Sequence, residues 1–243
     1  MRHFSLITIL GTLALFISPL QADISVDEVL SLARSYRGTE PVLEALESIQ
    51  YFSTVEGEEG QPDSKVNLMV KKPFLQRMET VNQGFISITI TNGYEGYGMR
   101  KDIETGRQER FILTPQRVDE MIINALENLY FYKGFEHRNG SLKAEGPIDY
   151  KGQSAYKTTT TYPSGVAYDR YFDTETGRLY ATVSYDGIEL IEEGSQKIEG
   201  IEFPERIQVH KDGQLIYTVI LDHIAVNRDV DDTLFELSSL SLP

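Results

Sequence analysis

The side chains able to do acid–base or metal chemistry are few and scattered. Beyond the N-terminal segment three histidines remain: His137, His210 and His223. No two stand at a spacing that puts both on one helix face, so no paired imidazole site is predicted. Neighbouring carboxylates are plentiful: Glu58-Glu59, Glu192-Glu193 and Asp231-Asp232. A catalytic pair needs one member desolvated so that its pKa rises. These sit beside glycine or polar residues, at turns or strand ends, and read as acidic surface. Asp229, Asp231 and Asp232 read the same way, as an acidic turn before a last strand rather than a metal cluster. The loops Asp102-Ile-Glu-Thr-Gly106 and Asp173-Thr-Glu-Thr-Gly177 echo one another, but two carboxylates in five residues supply too few oxygens for calcium. A glycine at a left-handed turn position explains both. Gly93, Gly96 and Gly98 fall within a hairpin, the wrong context for a phosphate cradle. With no cysteine there is no disulfide, thiolate metal site, thiol nucleophile or acylated lipobox. The expectation is a chain with no catalytic residues, no metal and no cofactor.

The elements that would position any site begin after a leader. Arg2 and His3 precede an apolar run from Phe4 to Leu15, and Leu20-Gln21-Ala22 reads as a cleavage site. Residues 1–22 are therefore expected to be a signal peptide cleaved after Ala22, and 23–243 one exported domain. Ser25 with Glu28 forms a capping-box pattern, followed by Val29, Leu32, Ala33 and Tyr36 on one face and a stop at Gly38. A second helix is predicted from Thr39, with a stripe of Val42, Leu43, Leu46 and Ile49. Strands follow: Ser64 to Lys72, Phe74 to Val81, Phe85 to Thr91 and Tyr94 to Arg100, with Asn92-Gly93 as a hairpin turn whose two positions both need positive φ. Thr114 and Pro115 start a helix whose apolar residues, from Val118 to Leu129, recur at offsets of three and four. From Leu142 to the end, regularly spaced turns predict an antiparallel meander.

The formal charge is −14, and loss of Arg2 with the leader makes it one unit more negative. Such a surface repels phosphate backbones and anionic headgroups, so nucleic acid is excluded as a partner and docking on a bilayer by charge is disfavoured. What stands out is the supply of apolar and aromatic side chains on strands beside one amphipathic helix. A packed core accounts for them. So does an incompletely closed barrel with a helix over the opening.

Several segments, in order, resemble the LolA/LolB-like carriers of outer-membrane lipoproteins. They are Val66-Asn-Leu-Met-Val-Lys-Lys-Pro73, Leu75 to Glu79, Asn92-Gly-Tyr-Glu-Gly-Tyr97, Tyr171-Phe-Asp-Thr-Glu-Thr-Gly177, and Val226-Asn227 through Asp231-Asp232 to Phe235. The resemblance implies a mainly β (α+β) fold, an unclosed antiparallel β-barrel with helices covering the open side. It implies a periplasmic carrier that shields acyl chains of lipoproteins or other lipids and hands them on without chemistry. The implied partners are that lipid and transfer proteins of the inner and outer membranes; a monomer is expected. A LolA-like sensory or protein-binding module is the second reading. Where the carriers have arginine before the proline this chain has Lys72, a point charge instead of a bidentate fork, as the candidate latch. Where they have tryptophan, Tyr97 stands. Strand parity then nominates Leu68, Val70, Met78, Ile86, Ile88, Ile90 and Tyr97 as cavity-lining. The helix after Thr114 is expected to act as a lid, turning Val118, Met121, Ile122 and Leu126 toward the cavity.

Overall fold

The computed structural model describes residues 24–57 and 63–240. The predicted leader and Glu58-Glu59 lie outside the described residues. Helix α1 runs Val26–Arg37 and opens with the reciprocal cap its sequence predicts: the Ser25 hydroxyl accepts from the Glu28 amide, and the Glu28 carboxylate accepts from the Ser25 amide. Helix α2 is only Glu40–Glu44. The predicted stripe overran it, because Ile49 already belongs to the first strand.

Six strands come next: β1 (Ser48–Glu56), β2 (Ser64–Lys71), β3 (Leu75–Asn82), β4 (Phe85–Thr91), β5 (Gly96–Asp102) and β6 (Gln108–Ile112). Helix α3 (Pro115–Tyr130) follows, its Thr114 hydroxyl capping the Arg117 amide. The second half holds β7 (Ser141–Tyr150), β8 (Gln153–Thr161), β9 (Ala167–Asp173), β10 (Leu179–Ser184), β11 (Ile188–Glu193), β12 (Gln196–Ile198), β13 (Ile201–Phe203), β14 (Arg206–Lys211) and β15 (Gln214–Val226). Of these, thirteen form one antiparallel sheet in the order β6, β5, β4, β3, β2, β1, β15, β14, β11, β10, β9, β8, β7. The edge strands β6 and β7 do not pair, so the barrel is unclosed, and α3 is the segment that links them. The pair β12–β13 leaves the sheet as a separate hairpin.

The turn at Asn92 differs in detail from the expected two-residue hairpin. The chain needs four residues there: the Asn92 amide donates to Glu95 O, and the Asn92 side chain accepts from the amides of Tyr94 and Glu95. Gly93 alone takes positive φ (101°).

Cross-strand register decides which residues face inward. Ile49, Val70, Gln76, Thr91 and Gly96 are successive direct partners and so share one face. A side chain at Gly96 would lie 2.6 Å from Val118 of α3, so this is the face on which α3 packs. Inward positions on β3–β5 are Gln76, Met78, Thr89, Thr91, Gly96 and Gly98; the missing side chain at Gly96 lets α3 approach closely, and that at Gly98 makes room for the Phe111 ring of β6.

The opposite face is covered by the C-terminus. Beyond β15 the chain makes two 3-10 turns, Asp232–Phe235 and Leu237–Leu240. Phe235 and Val230 pack on Met69, and Leu240 packs on Ile88, Ile90 and Met99. Arg77 fastens the strap, its guanidinium donating to Leu234 O at 3.0 Å and to Ser239 Oγ at 2.9 Å.

Candidate functional site

The interior of the unclosed barrel holds a cavity of about 330 Å³. That is at the lower end of the ~300–1,000 Å³ range of small-ligand sites. One wall is apolar: Val66, Leu68, Leu190, Ile207, Val219 and Leu221. The other carries two buried ion pairs and the Tyr132 ring between them.

Of the predicted α1 face, Val29 and Ala33 are buried, whereas Leu32 and Tyr36 are only half-buried because the buried stripe turns toward Leu30 and Arg34 instead. The structure extends that face by one more turn to Arg37 and adds Arg34, both nearly inaccessible. Arg37 binds both Glu192 oxygens at 2.6 Å, donates from Nε to the Tyr132 hydroxyl at 2.7 Å and reaches Glu202 O at 3.2 Å. Burial opposes its charge, but Glu192 and Tyr132 outweigh burial and hold the guanidinium pKa above its usual value. From the sheet, Arg170 donates to Glu127 of α3 at 2.7 Å and to Thr160 Oγ1 at 3.3 Å. It lies over both Tyr132 and Tyr168. Its pKa too is raised: desolvation works against the charge, and Glu127 together with Tyr132, Tyr168 and Tyr162 more than compensates. The Tyr162 hydroxyl donates to the other Glu127 oxygen. Tyr168, desolvated in this wall, is pushed up to about 12. Arg37, Arg170 and Tyr168 therefore keep their protons through the neutral range and stand in the wall as fixed hydrogen-bond donors.

Arg34 stands just outside the cavity. It donates to Tyr130 O at 2.7 Å and Phe131 O at 3.0 Å while paired with Glu40 at 2.6 Å. It thus places a cation on the last carbonyls of α3, where the helix dipole favours one.

The nominated residues divide between the two faces. Leu68 and Val70 point inward, Leu68 into the cavity, and Met78 shares their face as the direct partner of Leu68. Ile86, Ile88, Ile90 and Tyr97 point the other way. Ile90 pairs with Arg77 and Tyr97, on the face under the C-terminal strap. Alternation relates residues within a strand, but a one-residue offset between strands reverses the face, and that offset lies here between β3 and β4.

The apolar stripe of α3 also lies elsewhere than expected. Val118, Ile122 and Leu126 pack with Phe74, Leu113 and Tyr130, and Met121 is buried. The α3 residues that border the cavity are the polar Asn124, Glu127 and Asn128. Six large apolar side chains of α3 are buried: Val118, Met121, Ile122, Ile123, Leu126 and Leu129. At ~1.5–3 kcal/mol apiece, swinging the helix out would cost roughly 10 kcal/mol, comparable with the stability of a whole domain.

Lys72 donates to Glu44 O at 2.8 Å, lies 3.6 Å from the Glu47 carboxylate and sits 5.3 Å from the Tyr130 ring centre. It joins the β2–β3 turn to the end of α3, in the neighbourhood where Arg34 makes the direct bonds.

The histidines stay apart. His137 stacks on Tyr130, His210 lies by Gln208, and His223 sits beside Phe52. Among the described residues no group of three or more His, Cys, Asp or Glu is placed to hold a metal. Glu192 departs from the acidic-surface reading: it turns inward to Arg37, while Glu193 lies near Arg206. Arg37, Glu127, Tyr132, Arg170 and Glu192 were not nominated from sequence. A signal existed for two of them. Arg37 continues the i, i+4 series of Val29 and Ala33, and Arg170 alternates with Tyr168 and Phe172.

No family model and no curated protein sequence matches the chain. Solved structures do. A DUF1329 family protein from Desulfovibrio piger superposes with a TM-score of 0.60 at 13% identity, covering 89% of this chain and 99% of that one. The LolA superfamily protein NE2245 from Nitrosomonas europaea gives 0.56 at 13% identity, covering 89% and 100%. At that identity the likeness is one of fold alone, and it extends over nearly the whole of each relative. The chain has a LolA-like fold, an unclosed antiparallel β-barrel with its helices packed against the opening.

Proposed function

We propose that this chain is an exported, non-catalytic carrier in the periplasm that holds one acyl chain of a lipoprotein or another lipid in the barrel interior. The observation that carries the reading is the cavity itself: a LolA-like sheet whose inner wall offers Leu68, Val219 and Leu221 to an apolar ligand. Each methylene buried there contributes about 0.8 kcal/mol, so a partial chain suffices for reversible binding. The ion-paired wall is a fixed floor, and α3 is a wall rather than a hinge. No helix among the described residues is long and apolar enough to cross a membrane.

The test is displacement of a fluorescent fatty acid, beside native mass spectrometry for co-purified lipid. Leu221→Trp fills the cavity. Excluding two methylenes loses about 1.6 kcal/mol, so retention should fall at least roughly tenfold. Tyr97→Phe, on the opposite face, should leave binding unchanged. A parent protein that binds no acyl probe and carries no lipid would end the carrier reading.

A further inference from the structure

Four side-chain hydroxyls in the cavity wall have no hydrogen-bond partner among the described residues. Tyr51 and Ser53 come from β1, opposite Leu68 and Val66, and share the inward face with them. Tyr168 comes from β9 and Thr182 from β10, where Thr182 lies opposite both Arg170 and Leu190. Nearby hydroxyls are engaged: Tyr132 with Arg37, Tyr162 with Glu127, and Thr160 with Arg170. Among the described residues, the unpartnered polar side-chain atoms sealed inside protein belong to Gln76 and Thr89. The four hydroxyls are therefore not sealed, although Ser53 is only 5% exposed; they open onto the cavity they line.

A bare hydrocarbon is a poor match for such groups, because a hydroxyl kept from water needs a partner. The two phenols hold their protons: burial pushes Tyr51 up, as it does Tyr168, with Arg37 and Arg170 only partly opposing. Each can therefore donate. The charged residues of the lining are Arg37, Glu192, Arg170 and Glu127, and each guanidinium already faces its own carboxylate. The lining holds no lysine and no histidine. An anionic headgroup would enter beside two carboxylates with each cation already neutralised, and an uncompensated buried charge is costly. A neutral carbonyl meets no such penalty, and its two lone pairs accept what the phenols donate.

We propose that the barrel selects an uncharged acyl ester or amide over a free fatty-acid anion, the ligand's carbonyl accepting from the hydroxyls of Tyr51 and Tyr168. This rests on the carrier reading above and adds which polar group travels into the barrel with the chain. The hydrocarbon lies along Leu68, Val219 and Leu221, and the carbonyl turns to the phenols.

The probes are three fluorophore-labelled chains of equal length, ending in a methyl ester, a carboxylate or a plain methyl group. Titrations in roughly 1 M salt screen the chain's overall negative charge to within ~3 Å, leaving the local contacts. The ester should bind at least about tenfold more tightly than the carboxylate. In the double variant Tyr51→Phe, Tyr168→Phe both rings stay and only unpartnered hydroxyls go, so it should melt as the parent does. It should bind the ester roughly three- to tenfold more weakly, with no loss of affinity for the plain hydrocarbon. If the variant fails to fold, the ester-against-carboxylate comparison on the parent decides the matter. A carboxylate held as tightly as the ester would overturn the proposal. So would a variant that loses nothing, or that loses ester and hydrocarbon alike. In each of those cases the chains still bind and the carrier reading survives; if none of the three probes binds, the carrier reading falls and takes this inference with it.

Discussion

Arg170→Met should lower the free energy of unfolding by about 3–5 kcal/mol, because it leaves Glu127 as an uncompensated charge inside the barrel. Both side chains of the pair are over nine-tenths buried, at 7% and 9% relative exposure, so little solvent screening softens the loss. For a chain of this size each kcal/mol moves Tm by about 2–4 °C, so the melt should fall on the order of 10 °C. Adding Glu127→Gln removes the stranded charge and keeps an acceptor for the Tyr162 hydroxyl. The double variant should recover most of the stability, read as a shift in urea midpoint. If it stays as unstable as the single variant, the guanidinium matters instead through its packing between the Tyr132 and Tyr168 rings.

The second large effect separates two turns of nearly identical sequence. Gly106 and Gly177 end the echoed loops at φ 70° and 76°. In both, the leading aspartate accepts amides from within its loop: Asp102 from Thr105, and Asp173 from Glu175 and Thr176. Alanine at either position bears the left-handed penalty of about 1–2 kcal/mol. Only Gly177 meets another element. A Cβ there would lie 2.4 Å from Leu32 O and 2.8 Å from Ala33 N, both backbone of α1, whereas a Cβ at Gly106 meets open space. Gly106→Ala should therefore cost about 1 kcal/mol, and Gly177→Ala at least ~2 kcal/mol more, since helix backbone cannot yield as a side-chain tip can. Displacing α1 also moves Arg34 and Arg37, so acyl-probe retention should weaken in Gly177→Ala alone. Equal costs in the two variants would show that α1 is not seated on this turn.

Much of the architecture was legible in the chain because its signals are local. The reciprocal cap at Ser25 and Glu28, the start of α3 at Thr114 and Pro115, and the alternation of β2 and β4 each depend on residues a few positions apart, and each appears as read. The length of α2 was not legible. Leu46 and Ile49 continue a helical period by coincidence while the backbone has already turned into β1.

What the sequence by itself determined is the class: strands in antiparallel order, one strongly amphipathic helix, an acidic surface, and no run of residues with the spacing of a known catalytic motif. What only the tertiary structure decided is which side of each strand is the inside. Val66, Leu68 and Val70 alternate just as Ile86, Ile88 and Ile90 do, yet register across β3 sends the first set to the barrel interior and the second under the C-terminal strap. Burial of Arg37 and Arg170 was hidden for a related reason. A guanidinium is costly to bury alone, so its place inside depends on Glu192 and Glu127, partners 155 and 43 residues away along the chain. Side-chain period is a property of neighbours in sequence; face and charge compensation are properties of neighbours in space.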